Sequence, residues 1–297
     1  MDFEKIKPML LSEKLEVFND KNFLYELKFD GIRALILIDS EKIIIKSRNN
    51  IILNDKFPEL LKIKNNIKKK CIFDGEIVLM HEGIPSFSKL RERMSLKKKD
   101  RINIFKENYP VTFVCFDILY ENKSLIDLTL TERKKILDKY EDDDYFVKSR
   151  TYNDGIKLFK FVKNNNLEGI VAKLKTSKYI PNKRTDYWIK IKRTLEEEFY
   201  ILGYKENDYV ASLLLGEKHK NKFNYVSIVL ISKKNKDFNL IKECKNTKNI
   251  LNNFKDKTFT YIIPKYKCSV TYLERTKNNH LRHAVFNKIT NKSTKKG

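Results

Sequence analysis

Apolar residues along this chain either alternate with polar ones or run unbroken for a few positions. These patterns predict strands at 24–29, 32–39, 42–47, 71–80, 111–120, 169–175 and 187–192. Elsewhere the spacing turns helical. In "FPELLKIKNNIKKK" (57–70) Leu60, Leu61, Ile63 and Ile67 fall on one face. "TERKKILDKYE" (131–141) and "GIKLFKFVKNN" (155–165, with Ile156, Phe159 and Val162) behave likewise. Strands and helices without regular βαβ alternation predict an α+β fold with substantially antiparallel sheets and flanking helices. Residues 1–20 read as a short lead-in.

The texture changes at "IKIKRTLEEEFYILGY". Short strands with polar turns follow, at 199–204, 209–217, 223–232, 259–266 and 268–275, interrupted by one helix over 238–255. Strands at this spacing suit a small barrel of about 100 residues, such as an OB-fold. The boundary falls near 194, giving a first domain over 1–193 and a second over 194–297. The Lys-rich end, "NKSTKKG", is expected to fray.

Composition narrows the function classes. Hydrophobic residues make up 41% and aromatics 12%, enough for a proper core. No run approaches the roughly 18 apolar residues that a bilayer span requires, and "MDFEKIKPML" lacks a signal-peptide core, so a cytoplasmic protein without membrane association is expected. Cys71, Cys115, Cys244 and Cys268 form no C-x-x-C pair, which argues against a zinc site or a disulfide framework. Lys plus Arg number 62 against 39 Asp plus Glu, a net +23 that favours a polyanionic partner. A chain rich in Lys, Asn and Ile together also reflects a codon bias, so charge alone favours nucleic acid only modestly.

The candidate chemistry starts at "ELKFDGIR" (26–33), where a lysine is wedged between apolar residues in a strand entering the core. Lys28 is either one more surface cation or an amine placed for chemistry; a nucleophilic amine must be neutral, which an apolar pocket or neighbouring cations promote. Further short motifs follow in order: "SR" (47–48), "FDGEIV" (73–78), "FDILY" (116–120), "EGIVAK" (168–173) and "WIKIK" (188–192). One K-x-D-G-x-R is a weak signal, whereas six segments in order are a strong one. From Glu26 to Phe286 the chain resembles the ATP-dependent DNA ligases, within the nucleotidyltransferase superfamily that also holds RNA ligases and capping enzymes.

That resemblance implies a role for each motif residue. Lys28 would attack the α-phosphate of ATP to form lysyl-AMP, and Glu26 would contact the adenine amino group. Asp30 would act later, near the reacting hydroxyl or the metal; a plain D-G turn is the competing reading of Asp30-Gly31. Arg33 offers a fork to ribose and phosphate oxygens, and Arg48 would meet the 5′-phosphate of a nick, though an S-R pair carries almost no information. Glu76 would hold the ribose hydroxyls. Phe116 would stack on adenine, against the commoner fate of core packing. Glu168 is the candidate ligand for Mg²⁺, with Mn²⁺ able to substitute. Lys173, Lys190 and Lys192 supply the remaining positive charge. Strand alternation puts Lys190 and Lys192 on one face, where they can clamp the α-phosphate, with Ile189 and Ile191 on the other.

The second domain carries the resemblance further. "VTYLERTKNNHLRHAVF" (270–286) is similar to the end of the OB domain in bacterial ligases of double-strand-break repair, with Asn279 and Ala284 where glycine and proline are usual. The Arg-x-Asp-Lys element expected next is replaced by "KITNKSTKK", in which Lys292 is at best a partial stand-in. That places self-adenylylation, not the later steps, in question. The expectation is a two-domain, monomeric, ATP-dependent ligase acting on nicked duplex DNA, with a DNA-end-binding repair protein as a candidate partner. An RNA ligase, a capping guanylyltransferase and a catalytically weak nucleic-acid-binding relative are the rival readings.

Overall fold

The computed structural model describes residues 5–220, 222–276 and 278–290. Contacts divide the chain into two units, Met1–Arg193 and Thr194–Gly297.

The first unit is built on two sheets. Strands β1 (Leu10–Glu13), β2 (Phe23–Lys28), β3 (Ile32–Ile38), β4 (Ile43–Ser47) and β5 (Cys71–His81) come first, then the short β6 (Ile84–Pro85). Helices α1 (Phe87–Ser95) and α2 (Lys99–Asn108) precede β7 (Val111–Glu121) and the short β8 (Lys123–Ser124). Helix α3 (Leu130–Leu137), β9 (Phe146–Lys148), α4 (Gly155–Asn164), β10 (Gly169–Leu174) and β11 (Arg184–Lys192) complete it. The larger sheet runs β4-β3-β5-β7-β8, with β6 on β5 and β9 on β7; the smaller runs β1-β11-β10-β2. Pairing is antiparallel except for β1 with β11 and β7 with β9. The fold is α+β.

Alternation along the strands decides what each face buries. Phe73, Ile77, Leu79 and Phe113 lie on one face of the large sheet and pack with Leu60, Ile63 and Leu90. From the opposite face Leu35, Leu37, Ile72 and Leu119 meet Val171 and Trp188 of the small sheet. The far face of the small sheet, with Tyr25, Ile170, Ile189 and Ile191, is covered by Leu158 and Val162 of α4. The polar inner positions between the two sheets are therefore left for chemistry.

Several expectations need correction. The helix expected over 57–70 is a 3-10 helix limited to Pro58–Asn65, with Leu60 and Ile63 buried at a spacing of three. Within 155–165 Ile156 is exposed and Leu158 takes the buried position. Helices α1 and α2 carried no apolar signal because α1 buries an arginine. Arg93 is fully enclosed and donates to Glu59 at 2.7 Å and to the Lys56 carbonyl at 2.8 Å. The lead-in also contains a strand, β1, which bonds to β11.

The second unit holds β12 (Leu195–Glu206), β13 (Val210–His219), β14 (Lys222–Ser232), α5 (Lys236–Lys242), β15 (Thr260–Tyr261), β16 (Lys267–Tyr272), β17 (Glu274–Arg275), β18 (Leu281–Arg282) and β19 (Val285–Ile289). Its main sheet runs β14-β13-β12-β16-β19 with β15 on β12, and β17 pairs with β18. The expected helix over 238–255 stops at Lys242. Beyond it Asn249 bonds locally instead: its Oδ1 accepts from Leu251 N at 2.8 Å and its Nδ2 donates to the Phe254 carbonyl at 2.7 Å. No helix among the described residues is long and apolar enough to cross a membrane.

Candidate active site

The small sheet arranges most of the motif residues by register alone. One cross-strand row carries Lys28, Gly169 and Lys192, and the next carries Glu26, Val171 and Lys190. Leu24, Lys173 and Trp188 form a third. Lys28, Glu26, Lys173, Lys190 and Lys192 thus share the inner face. Gly169 keeps the row tight, since a Cβ there would stand 2.3 Å from the Ile191 carbonyl oxygen. Gly31, in the turn after Lys28, is similarly constrained, at 2.3 Å from the Ile77 carbonyl oxygen.

Lys28 Nζ donates to Glu168 Oε2 at 2.8 Å and stands 2.8 Å from Oε1. Its surroundings are acidic where the sequence suggested an apolar pocket, because alternation sends Leu27 to the opposite face, beneath α4. Burial raises the Glu168 carboxyl; Lys28 opposes the rise and Asp30 adds to it. Glu76 lies on the facing strand β5, opposite Arg33 in the β3–β5 pairing. It makes no hydrogen bond or ion pair among the described residues, and burial pushes its carboxyl up to about 8 against the pull of Lys28 and Arg33.

Arg33 is committed elsewhere than its motif suggested. Its fork grips Asp74 of "FDGEIV" through Nε–Oδ1 at 3.1 Å and Nη2–Oδ2 at 2.7 Å. Tyr179 OH donates to the same Asp74 Oδ2 at 2.6 Å. The guanidinium sits 5.3 Å from the Phe116 ring and 5.6 Å from Trp188. Phe116 is only partly buried and meets Trp188 edge-on at 5.8 Å.

Lys173 Nζ lies over both rings, 4.3 Å from Phe116 and 4.2 Å from Trp188, and donates to Glu26 Oε2 at 3.0 Å. Burial lowers its pKa to about 8 despite Glu26, with Lys134 pushing the same way. The other Glu26 oxygen faces Lys134 Nζ at 2.6 Å. Burial alone would raise the Glu26 carboxyl; the two ammoniums outweigh it and hold it below the usual range.

Lys190 and Lys192 pair with Glu13 of β1 at 3.0 and 3.6 Å. Arg48 is exposed, and its backbone N–H bonds the Arg33 carbonyl at 3.2 Å. Asp30 follows Lys28 in the turn before β3. Lys292 and the Lys-rich end lie outside the described residues. Asn279, standing where the family has glycine, adopts φ 63°, a left-handed conformation that asparagine tolerates better than most residues.

Sequence reasoning passed over Asp74, Asp117, Trp188, Glu13 and Lys134. The first three lie inside quoted motifs and were legible there. Asp117 holds Arg133 of α3 through two bonds of 2.8 Å, and this anchor delivers Lys134 to the site. Nothing in the local sequence marks Lys134 or Glu13. Among the described residues no cluster of three or more His, Cys, Asp or Glu could hold a metal. A lone hard carboxylate such as Glu168 nevertheless fits Mg²⁺, which takes one or two carboxylates and completes its shell with water and substrate phosphate.

Comparison with known proteins places the chain in a family. The family model "ATP dependent DNA ligase domain" matches residues 6–192. The SPbeta prophage-derived DNA ligase-like protein LigB of Bacillus subtilis is 31% identical over 95% of this chain and 97% of its own length. The multifunctional non-homologous end joining protein LigD of Mycolicibacterium smegmatis is 26% identical over 94% of this chain, which spans only 37% of that protein. In structure, mycobacterial DNA ligase D complexed with ATP and MES matches 98% of this chain and 96% of its own with a TM-score of 0.60 and 22% identity, a likeness of fold. With the matched segment holding every motif from Lys28 to Lys192, the chain belongs to the ATP-dependent DNA ligase family.

Proposed function

We propose that Lys28 is the residue on which this ligase carries AMP while it seals nicks in duplex DNA. The observation that carries the reading is the row Lys28–Gly169–Lys192, which sets the amine beside Glu168 and in line with a second cation. Lys28 must shed Glu168 and a proton before its nitrogen can attack. The N–P bond to the α-phosphate then forms as the P–O bond to pyrophosphate breaks. The 5′-phosphate at the nick next attacks the same phosphorus and frees Lys28. Attack by the 3′-hydroxyl closes the phosphodiester and releases AMP.

The surrounding side chains supply binding and charge. Phe116 would offer a stacking face to adenine and Glu26 an acceptor to its amino group. Glu76, unpaired and largely protonated at neutral pH, suits the ribose hydroxyls. Arg33 would brace this wall through Asp74 rather than grip the nucleotide by its fork. Lys190 and Lys192 exchange Glu13 for the α-phosphate, and Lys173 adds charge beneath the base. Asp30 would act near the hydroxyl and Arg48 at the 5′-phosphate. Glu168 would hold Mg²⁺, or Mn²⁺ in its place, which when bound neutralises charge on the phosphates.

Residues 1–193 would form the nucleotidyltransferase domain and residues 194–297 an OB-fold domain, consistent with the antiparallel six-stranded sheet of the second unit. A cytoplasmic monomer working with a DNA-end-binding repair protein fits the likeness to a relative named for end joining.

The test is labelling with α-labelled ATP and Mg²⁺, followed by denaturation. Label should stay on the wild-type protein and be absent from Lys28→Ala. Label persisting in that variant, or nicked RNA sealed in preference to nicked DNA, would overturn the assignment.

A further inference from the structure

We propose that Lys134 is a specificity-determining residue that reads the base of ATP together with Glu26. No motif points to it; its position does. Lys134 Nζ lies 2.6 Å from Glu26 Oε1, with the two side chains 10% and 2% exposed. The two form a buried ion pair, and beyond it neither atom has a hydrogen-bond partner among the described residues, so the ammonium and the carboxylate oxygen each keep capacity for a further bond.

Two features aim the pair at the nucleotide slot. Lys173 bridges Glu26 and the Phe116 ring, which places the carboxylate at the edge of the stacking platform. Helix α3 is held rigidly, by the Asp117–Arg133 pair and by a capping box in which Thr129 and Glu132 bond reciprocally. The ammonium is thus fixed in place, not adrift at the end of a flexible chain.

The chemistry then selects a base. Adenine presents an amino donor beside a ring-nitrogen acceptor, the complement of Glu26 Oε1 beside Lys134 Nζ. Guanine carries a carbonyl oxygen where adenine has the amine, so it would face Glu26 acceptor to acceptor. A site built to hydrogen-bond a group rejects analogues lacking it far more strongly than an apolar pocket could.

The inference rests on the ligase reading and on Phe116 as the platform, so its test keeps the two apart. Wild-type protein is labelled with α-labelled ATP, with Lys28→Ala as the check on the ligase reading itself. Unlabelled 1-deaza-ATP, 7-deaza-ATP and GTP then compete for the same labelling, and the experiment is repeated with Lys134→Met. Removing the ring nitrogen that Lys134 contacts should weaken competition by one deaza analogue about tenfold or more in the wild type. In Lys134→Met that penalty should vanish and the preference for ATP over GTP should narrow. The conservative Lys134→Arg should keep part of the preference. Equal competition by both deaza analogues in wild type would overturn the proposal, with no variant needed. A Lys134→Met protein that loses affinity for every nucleotide alike and keeps the deaza penalty would assign Lys134 a structural role and overturn it too.

Discussion

Glu76 shows how a single residue's surroundings set its behaviour. An ordinary glutamate at 4.5 is moved to about 8 by burial. The folded state therefore holds this proton more tightly than the unfolded chain. That contribution to stability is complete below 4.5 and is lost as pH rises through about 8. Glu76→Gln cannot titrate there, so the Tm of wild type relative to the variant should fall between about pH 5 and pH 8.5. Thermal melts of the two proteins across that range check it; a constant difference would sink the idea. At this scale the motifs singled out Lys28, Glu26, Glu76, Phe116, Lys173, Lys190 and Lys192, and the strand pairing set the lysines and Glu26 on one face. The motifs could not say that Arg33 would be taken by Asp74, because Asp74 lies more than 40 positions along the chain and is itself held by Tyr179, more than 100 positions further on.

Elements carry those residues into place, and two predictions belong to them. Arg133 and Asp117 are both fully enclosed and doubly bonded. Arg133→Met leaves Asp117 buried and unpaired, a loss of about 3–5 kcal/mol. Denaturant unfolding should report it, together with weaker ATP binding as α3 loosens its hold on Lys134. Gly169→Ala drives a methyl against the Ile191 carbonyl and must spread β10 from β11. The expected cost is about 1–3 kcal/mol, with Lys28 labelling falling more than labelling by a variant on the far, α4-covered face of the sheet. Strands were legible because alternation and apolar runs report directly on a buried face. Helices α1 and α2 were not, since Arg93 is one of only two buried residues in α1, with Leu90, and Ile102 is the one buried residue of α2. The 238–255 stretch misled for the opposite reason: its apolar residues are spaced for a helix, while Asn249 satisfies local backbone groups.

The whole chain carries +23. Its grip on nicked DNA should weaken steeply with salt, by about a thousandfold between 50 and 200 mM if some six phosphates are neutralised. Binding assays across a salt series check this, and a flat response would place the surplus lysines away from the duplex. Sequence by itself determined the family, the order of the motifs, the strand-rich α+β class and the shared face of Lys190 and Lys192. It could do so because strand periodicity fixes which side chains face together, and the motif residues sit at matching parity. Only the tertiary structure decided which of them pair. Glu168 against Lys28, Asp74 against Arg33, Glu13 against Lys190 and Lys134 against Glu26 are all long-range contacts. They are set by register across strands and by one anchored helix, and no local pattern encodes either.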